Sequence, residues 1–293
     1  MKLPSSAPTW ALLVGASLWG VVWYPYRVLA LAGLDGIWST ALTYGVALVV
    51  GVAIFPREAA RLVRMPKLAI LMGLAIGGSN LAYVLGILEG EVMRVLLLFY
   101  LAPLWTIPIA WIVLRERLDA AGFAVMALAF CGAMVMLWKP KLGVPWPAVR
   151  AEWLGLAAGF FFALGNVLVR KLDTMTDSGK SIVIWAGVTA AALVYLPASR
   201  LGPGAAWDAA ASQAWIVAAI AIALVAMSLA MQYGLSRLPA NRAIVILLFE
   251  LVVAAVASWL LTDETMRVQD WIGGALIVVA SLVSGWLERS KAG

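Results

Sequence analysis

Long apolar runs, each close to the thickness of a bilayer, alternate with short polar punctuation along almost the whole chain. A spanning helix needs roughly 20 mostly apolar residues. Ten stretches meet that need, at about 9–32, 36–55, 66–89, 92–114, 119–138, 152–172, 181–197, 213–237, 240–262 and 268–287. The breaks between them are short and carry glycine, proline or charge, as at 33–36, 56–67, 89–91 and 115–119. The two longest, 139–151 and 198–212, read as loops, the first rich in proline. The run beginning at Thr9 lacks a small-x-small cleavage pattern, so it reads as a membrane helix rather than a cleaved signal. The predicted architecture is an all-α integral membrane protein with ten transmembrane helices.

The pattern is written twice. Residues 86–119 return at an offset of 148 as residues 234–267, which sets Gly86 on Gly234, Arg94 on Arg242, Trp111 on Trp259 and Glu116 on Glu264. A second register, at offset 143, sets Trp10 on Trp153, Trp19 on Phe162 and Arg27 on Arg170. Internal repetition of this kind divides the chain into two units, 1–144 and 145–293. Five helices per unit is an odd number, so the second unit enters the membrane from the opposite side. Two inverted five-helix repeats around a central cavity follow, with a site expected near the midplane and alternating access by rocking of the halves.

Composition narrows the class. The chain is 64% hydrophobic and 12% charged, with a mean hydropathy of +0.98, whereas a soluble domain carries about a quarter charged residues. The net charge of +6 therefore belongs to loops rather than to a nucleic-acid footprint. With the N-terminus in the cytoplasm, 14 Lys and Arg fall on the cytoplasmic face and 6 on the other. That asymmetry predicts both termini inside. Histidine is absent and Cys131 is the only cysteine, within an apolar run and read as buried. No disulfide framework, imidazole–thiolate metal site or cofactor is implied, and the usual general base is missing.

Residues 103–122, PLWTIPIAWIVLRERLDAAG, and their echo at 249–278, FELVVAAVASWLLTDETMRVQDWIGGALIV, resemble the two repeat signatures of the drug/metabolite transporter superfamily. Within it the chain is similar to the ten-helix EamA-type exporters. The 15 tryptophans make it look most like the exporters of aromatic amino acids and methyl viologen. The resemblance implies a multi-pass protein of the inner (plasma) membrane that exports small amphiphilic molecules. One departure stands out. Many relatives carry proline after the glutamate of the ninth helix, but here Leu251 follows Glu250, so the kink expected at Pro103 and Pro108 of the fourth helix has no proline in its partner.

Several polar and aromatic residues fall in mid-span. Trp19 and Trp23 lie one turn apart, with Arg27 continuing the stripe. Their repeat partners are Phe162 and Asn166. The third helix offers Ser79, Asn80 and Tyr83, the eighth Ser228 and Gln232, and the fourth Tyr100 one turn before Pro103. Each can equally be interhelical packing or hydrogen bonding. Glu250 is the sharpest, because a charged carboxylate at that depth costs at least about 3 kcal/mol and must be protonated, paired or wet. Trp19, Trp23, Asn80, Tyr83, Tyr100, Asn166, Gln232 and Glu250 are the candidate substrate-binding residues. Glu116 and Glu264 stand at helix ends, where they cap and orient the next helix. By contrast, Trp10, Trp38, Trp138, Trp153, Trp215, Trp271 and Trp286 sit at helix ends as interfacial anchors.

The expected partners are a small-molecule substrate, aromatic amino acids or similar, and the lipid bilayer, with monomer and oligomer both open. No GxxxxGK[ST] phosphate loop occurs, which disfavours an ATP-driven pump. An intramembrane enzyme would need clustered catalytic groups at one interface, and a channel a polar stripe through the whole membrane. Export of other metabolites or cationic drugs stays open beside aromatic amino acids.

Overall fold

A computed structural model describes residues 6–90, 92–138, 147–261 and 267–292; side chains at 88, 92–94, 258 and 284–292 lie outside the description. Fourteen α-helices follow one another: α1 (Ala7–Leu31), α2 (Gly36–Ile54), α3 (Pro56–Arg61), α4 (Lys67–Glu89), α5 (Val92–Phe99), α6 (Ala102–Leu114) and α7 (Ala120–Leu137), then α8 (Arg150–Lys171), α9 (Asp177–Tyr195), α10 (Pro203–Ser212), α11 (Ala214–Leu235), α12 (Ala240–Leu247), α13 (Phe249–Leu261) and α14 (Val268–Ala292). Nine spans among the described residues are long and apolar enough to cross a bilayer, and α14 adds a shorter apolar stretch, Val268–Val283. Counting α5–α6 and α12–α13 each as one broken span gives the ten predicted. Their outer faces expose Val14, Leu74, Ile112, Phe123, Ile222 and Leu282, a belt of the kind that faces the hydrocarbon of a bilayer.

Local chemistry explains the starts. Asp35 accepts the Trp38 N–H at 2.9 Å, Asp119 that of Gly122 at 2.8 Å and Thr176 that of Gly179 at 3.1 Å. Each satisfies an N-terminal amide that has no intrahelical partner. The Thr176 cap starts α9 four residues before the predicted 181, which draws Lys180 into the helix instead of the loop. Two stretches read as loops hold short surface helices, α3 and α10, both opened by a proline in the first turn. Cys131, read as buried, is exposed on α7. The division at 144/145 and the counterpart residues Arg94 and Glu264 cannot be followed, since residues 139–146 and 262–266 and the Arg94 side chain lie outside the described set.

Packing follows the repeat. Helix α4 packs on α8 and α1 on α11; α6 packs on α8 and α13 on α1; α4 packs on α9 and α11 on α2. Exchanging the first five spans for the second five turns each of these pairs into the other. The pairs α2·α9 and α7·α14 map onto themselves. This is the signature of a twofold axis relating the halves, and these contacts join one half to the other. The core therefore is the seam. Small residues let it close: a Cβ added at Gly159 would lie 2.5 Å from the Phe99 carbonyl, and one at Gly20 would lie 2.7 Å from that of Glu250.

Candidate functional site

Both broken spans break at mid-length and at the seam. In the fourth span Pro103 cannot donate to the Phe99 carbonyl, and α5 ends there; Tyr100 and Leu101 form the turn before α6. The ninth span breaks at Leu248 with no proline nearby, where Leu251 N–H reaches the Leu248 carbonyl at 3.1 Å in place of a regular helical bond. The symmetric break thus survives the departure noted at Leu251. Tertiary contacts hold it, because α1 approaches the Glu250 carbonyl at Gly20.

Across these two breaks, Tyr100 donates its hydroxyl to Glu250 Oε1 at 2.6 Å, joining residues 150 apart in sequence. Both side chains are half-buried. The bond is of the short, carboxyl-assisted kind, and it links one repeat to the other. Around it stands an aromatic group: Phe99 meets Tyr83 (5.3 Å between centroids), Tyr100 (5.1 Å) and Phe162 (5.4 Å) in tilted and edge-on contacts. Three candidates, Tyr83, Tyr100 and Glu250, are thereby brought together. Phe99 was missed, because an apolar ring inside an apolar run carries no signal of its own.

The other candidates are placed apart. Trp19 packs against the main core cluster, and Trp23 meets its chain neighbour Tyr24 edge-on at 5.8 Å. Asn80 does not share the direction of Tyr83: it lines a separate crevice with Ile37, Thr40, Ala192 and Tyr195. Asn166 and Gln232 are buried, and Asn166 Nδ2 and Gln232 Oε1 have no hydrogen-bond partner among the described residues; the same holds for Asn241 Oδ1. Each such atom costs on the order of 1–3 kcal/mol in a closed interior. The polar residues Ser79 and Ser228 serve the packing. Ser79 bonds the Ala158 carbonyl at 2.9 Å, and Ser228 accepts from the indole of the fully buried Trp185 at 2.9 Å. Trp10, Trp153, Trp215 and Trp271 are exposed at helix ends, while Trp38 donates its indole N–H to the Leu201 carbonyl at 3.0 Å.

At the face that carries the N-terminus, Glu116 does what a helix-end carboxylate can do. It accepts the Ala240 N–H at 2.8 Å, capping α12 in the other repeat, and faces Arg170 at 3.5 Å. Lys180, 1% exposed, donates to the Val169 carbonyl at 2.8 Å and to Ser236 Oγ at 2.7 Å. Lys180 was missed because it falls just before the predicted span starting at 181, beside Ser178 and Gly179, and was counted with the loop.

No group of three or more His, Cys, Asp or Glu that could hold a metal occurs among the described residues. The site offers one carboxyl, two phenols and several rings, which suits binding and release of a flat or cationic molecule. Comparisons with known proteins agree with a transport role. An uncharacterized transporter of Archaeoglobus fulgidus is 24% identical over 222 residues, covering 74% of this chain and 76% of that one. The protein RarD of Salmonella typhimurium is 26% identical over 159 residues, 51% of each chain. A solved crystal structure superposes with a TM-score of 0.76 at 19% identity, covering 98% of this chain and all of that one, which shows a common fold. The profile of the EamA-like transporter family matches residues 7–138 and 149–286. Matched across both repeats, with both broken spans inside the match, the chain belongs to the EamA-like transporter family.

Proposed function

We propose that the protein exports small amphiphilic metabolites, with aromatic amino acids as the leading substrates, by alternating access of the two repeats around the Tyr100–Glu250 pair. The observation that carries this reading is the 2.6 Å bond between the two mid-span breaks. It is polar, it lies between the units that must move, and Tyr83, Phe99 and Phe162 surround it with rings. An α-ammonium group suits the Glu250 carboxyl, and an aromatic side chain suits the rings. Trp19, Trp23, Asn80, Asn166 and Gln232 would join the path in other stages of the cycle.

The same chemistry accommodates a cationic drug, so substrate choice decides between the two. Lys and Arg place the N-terminal face in the cytoplasm: with Lys180 removed from the loop count, 13 remain against 6. The membrane is then the plasma membrane with both termini inside.

Reconstituted proteoliposomes given a panel of labelled amino acids and an organic dication, with and without a pH gradient, test the reading. Saturable flux of phenylalanine, tyrosine or tryptophan above that of aliphatic amino acids is the expected result. Flux of the dication alone would transfer the reading to drug export, and no preference for rings would remove the aromatic group from selection.

A further inference from the structure

The polar contacts at the N-terminal face form one connected set, and they tie together the ends of the spans that flank the site. Arg170, in the last turn of α8, donates Nη1 to the carbonyl of Ser236, the residue capping the C-terminus of α11. Its Nε faces Glu116, and Glu116 in turn caps α12 through Ala240. Lys180 ties the free carbonyl of Val169 to the Ser236 hydroxyl. Two cations thus sit on carbonyls at helix C-termini and one carboxylate on a helix N-terminus, where each opposes the helix dipole favourably. Arg237 adds an ion pair to Asp177 at 2.7 Å.

Behind this set lie three amides, each with one buried atom that has no partner among the described residues. Asn166 precedes Arg170 by one turn on α8, Gln232 precedes Ser236 by one turn on α11, and Asn241 follows Ala240 on α12. The contacts close the face, and the closure strands polar atoms that would gain partners if it opened. Opposed terms of this kind are what a two-state element needs.

At the opposite face Glu264, the counterpart of Glu116, lies outside the described residues. Arg27, the repeat counterpart of Arg170, is exposed and makes no ion pair with any described residue. The inter-repeat ion pair there among described residues, Arg150–Glu89 at 3.5 Å, has side chains 73% and 31% exposed, and such pairs contribute little. Ser199 with Asp35 and Trp38 with Leu201 tie the α2 edge, and Arg267 ties the start of α14 to the Met136 carbonyl of α7 at 3.1 Å.

We infer that Glu116, Arg170 and Ser236, with the α12 amide and Lys180, form a latch that holds the N-terminal face closed. Opening that face by moving one half against the other requires Glu116 to leave Arg170 and the Ala240 N–H. The inference rests on the alternating-access reading above, but its test needs no substrate.

Asn166→Cys in a Cys131→Ala background reports the closure through its reaction with a membrane-impermeant maleimide in vesicles of both orientations. With the latch intact, labelling from the N-terminal face is slow. Glu116→Gln, which keeps an acceptor for the Ala240 amide but loses the charge, and Arg170→Gln should each raise that rate about tenfold, the size expected from one charge-assisted bond. The double variant should match the faster single one, because both remove the same contact. Arg27→Gln, at the opposite face, should leave the rate unchanged. Arg170→Lys serves as the milder variant, and melting temperature confirms that each protein is folded. Unchanged labelling in folded Glu116→Gln and Arg170→Lys, or a faster rate in Arg27→Gln, would overturn the latch. Normal latch behaviour with no flux in proteoliposomes would overturn the transport reading instead.

Discussion

Glu250 shows how one residue gains meaning from a partner far away in sequence. Its depth demands a hydrogen bond or water, and Tyr100 supplies the bond at 2.6 Å. If the carboxyl receives a substrate ammonium, Glu250→Gln keeps the fold, since glutamine is nearly isosteric and can still accept from Tyr100. It should cut amino-acid flux at least about tenfold and flatten the pH profile of flux, because the titrating group is gone. Wild-type flux with a wild-type profile in that variant, measured after confirming expression, would take Glu250 out of the mechanism. Tyr100→Phe tests the other partner. It retains the ring contact with Phe99 and loses the bond, so affinity should change by about 1–2 kcal/mol while preference for aromatic substrates persists. Replacing Tyr83 or Trp19 with Ala removes a ring, on the order of 1 kcal/mol per aromatic pair. Competition assays should then show aromatic substrates weakened more than aliphatic ones, and equal losses would mark the residue as packing.

At the level of elements, the two broken helices and the small residues opposite them act together. Breaking a span frees backbone groups that lipid cannot satisfy, so a break survives only where another helix covers it. Helix α8 packs at Gly159 over the Phe99 carbonyl, which Pro103 leaves without a helical donor, and α1 packs at Gly20 against the first turn of α13, just past the other break. Gly159→Leu should therefore force the helices apart and destabilise by about 1–3 kcal/mol, seen as a lower melting temperature in detergent. Gly204→Ala is the control: nothing lies within 4 Å of an added Cβ there, and alanine favours the helix by up to about 1 kcal/mol. A Gly159→Leu protein as stable as wild type would show that the seam yields more readily than its contacts suggest.

For the whole molecule, the exchange symmetry of the helix pairs means that the two halves meet through equivalent surfaces. A single conformation closed at one face then has a natural alternative closed at the other. Orientation is the property to test at this scale. Ala60→Cys in the Cys131→Ala background lies on the short exposed helix α3. It should react with an impermeant thiol reagent in inverted vesicles and stay unlabelled in intact cells. Labelling from outside intact cells would reverse the assignment of faces.

The sequence by itself determined what depends on local pattern. Ten apolar runs define ten spans, the 148-residue offset reveals the repeat, and its odd helix count makes the repeat inverted. Depth alone singled out Glu250. Only the tertiary structure decided which polar groups meet. Periodicity orients a side chain around its own helix but does not say which neighbour stands there. Tyr83 and Asn80, three residues apart, therefore part company, one to the rings around Tyr100 and the other to the α2–α9 crevice. The break at Leu248 carries no proline, and Lys180 carries no hydrophobic neighbour to announce its burial. The break is packed by α1 of the other half and Lys180 by Val169 and Ser236 of its own half, and the energy of those contacts lies between segments on different helices.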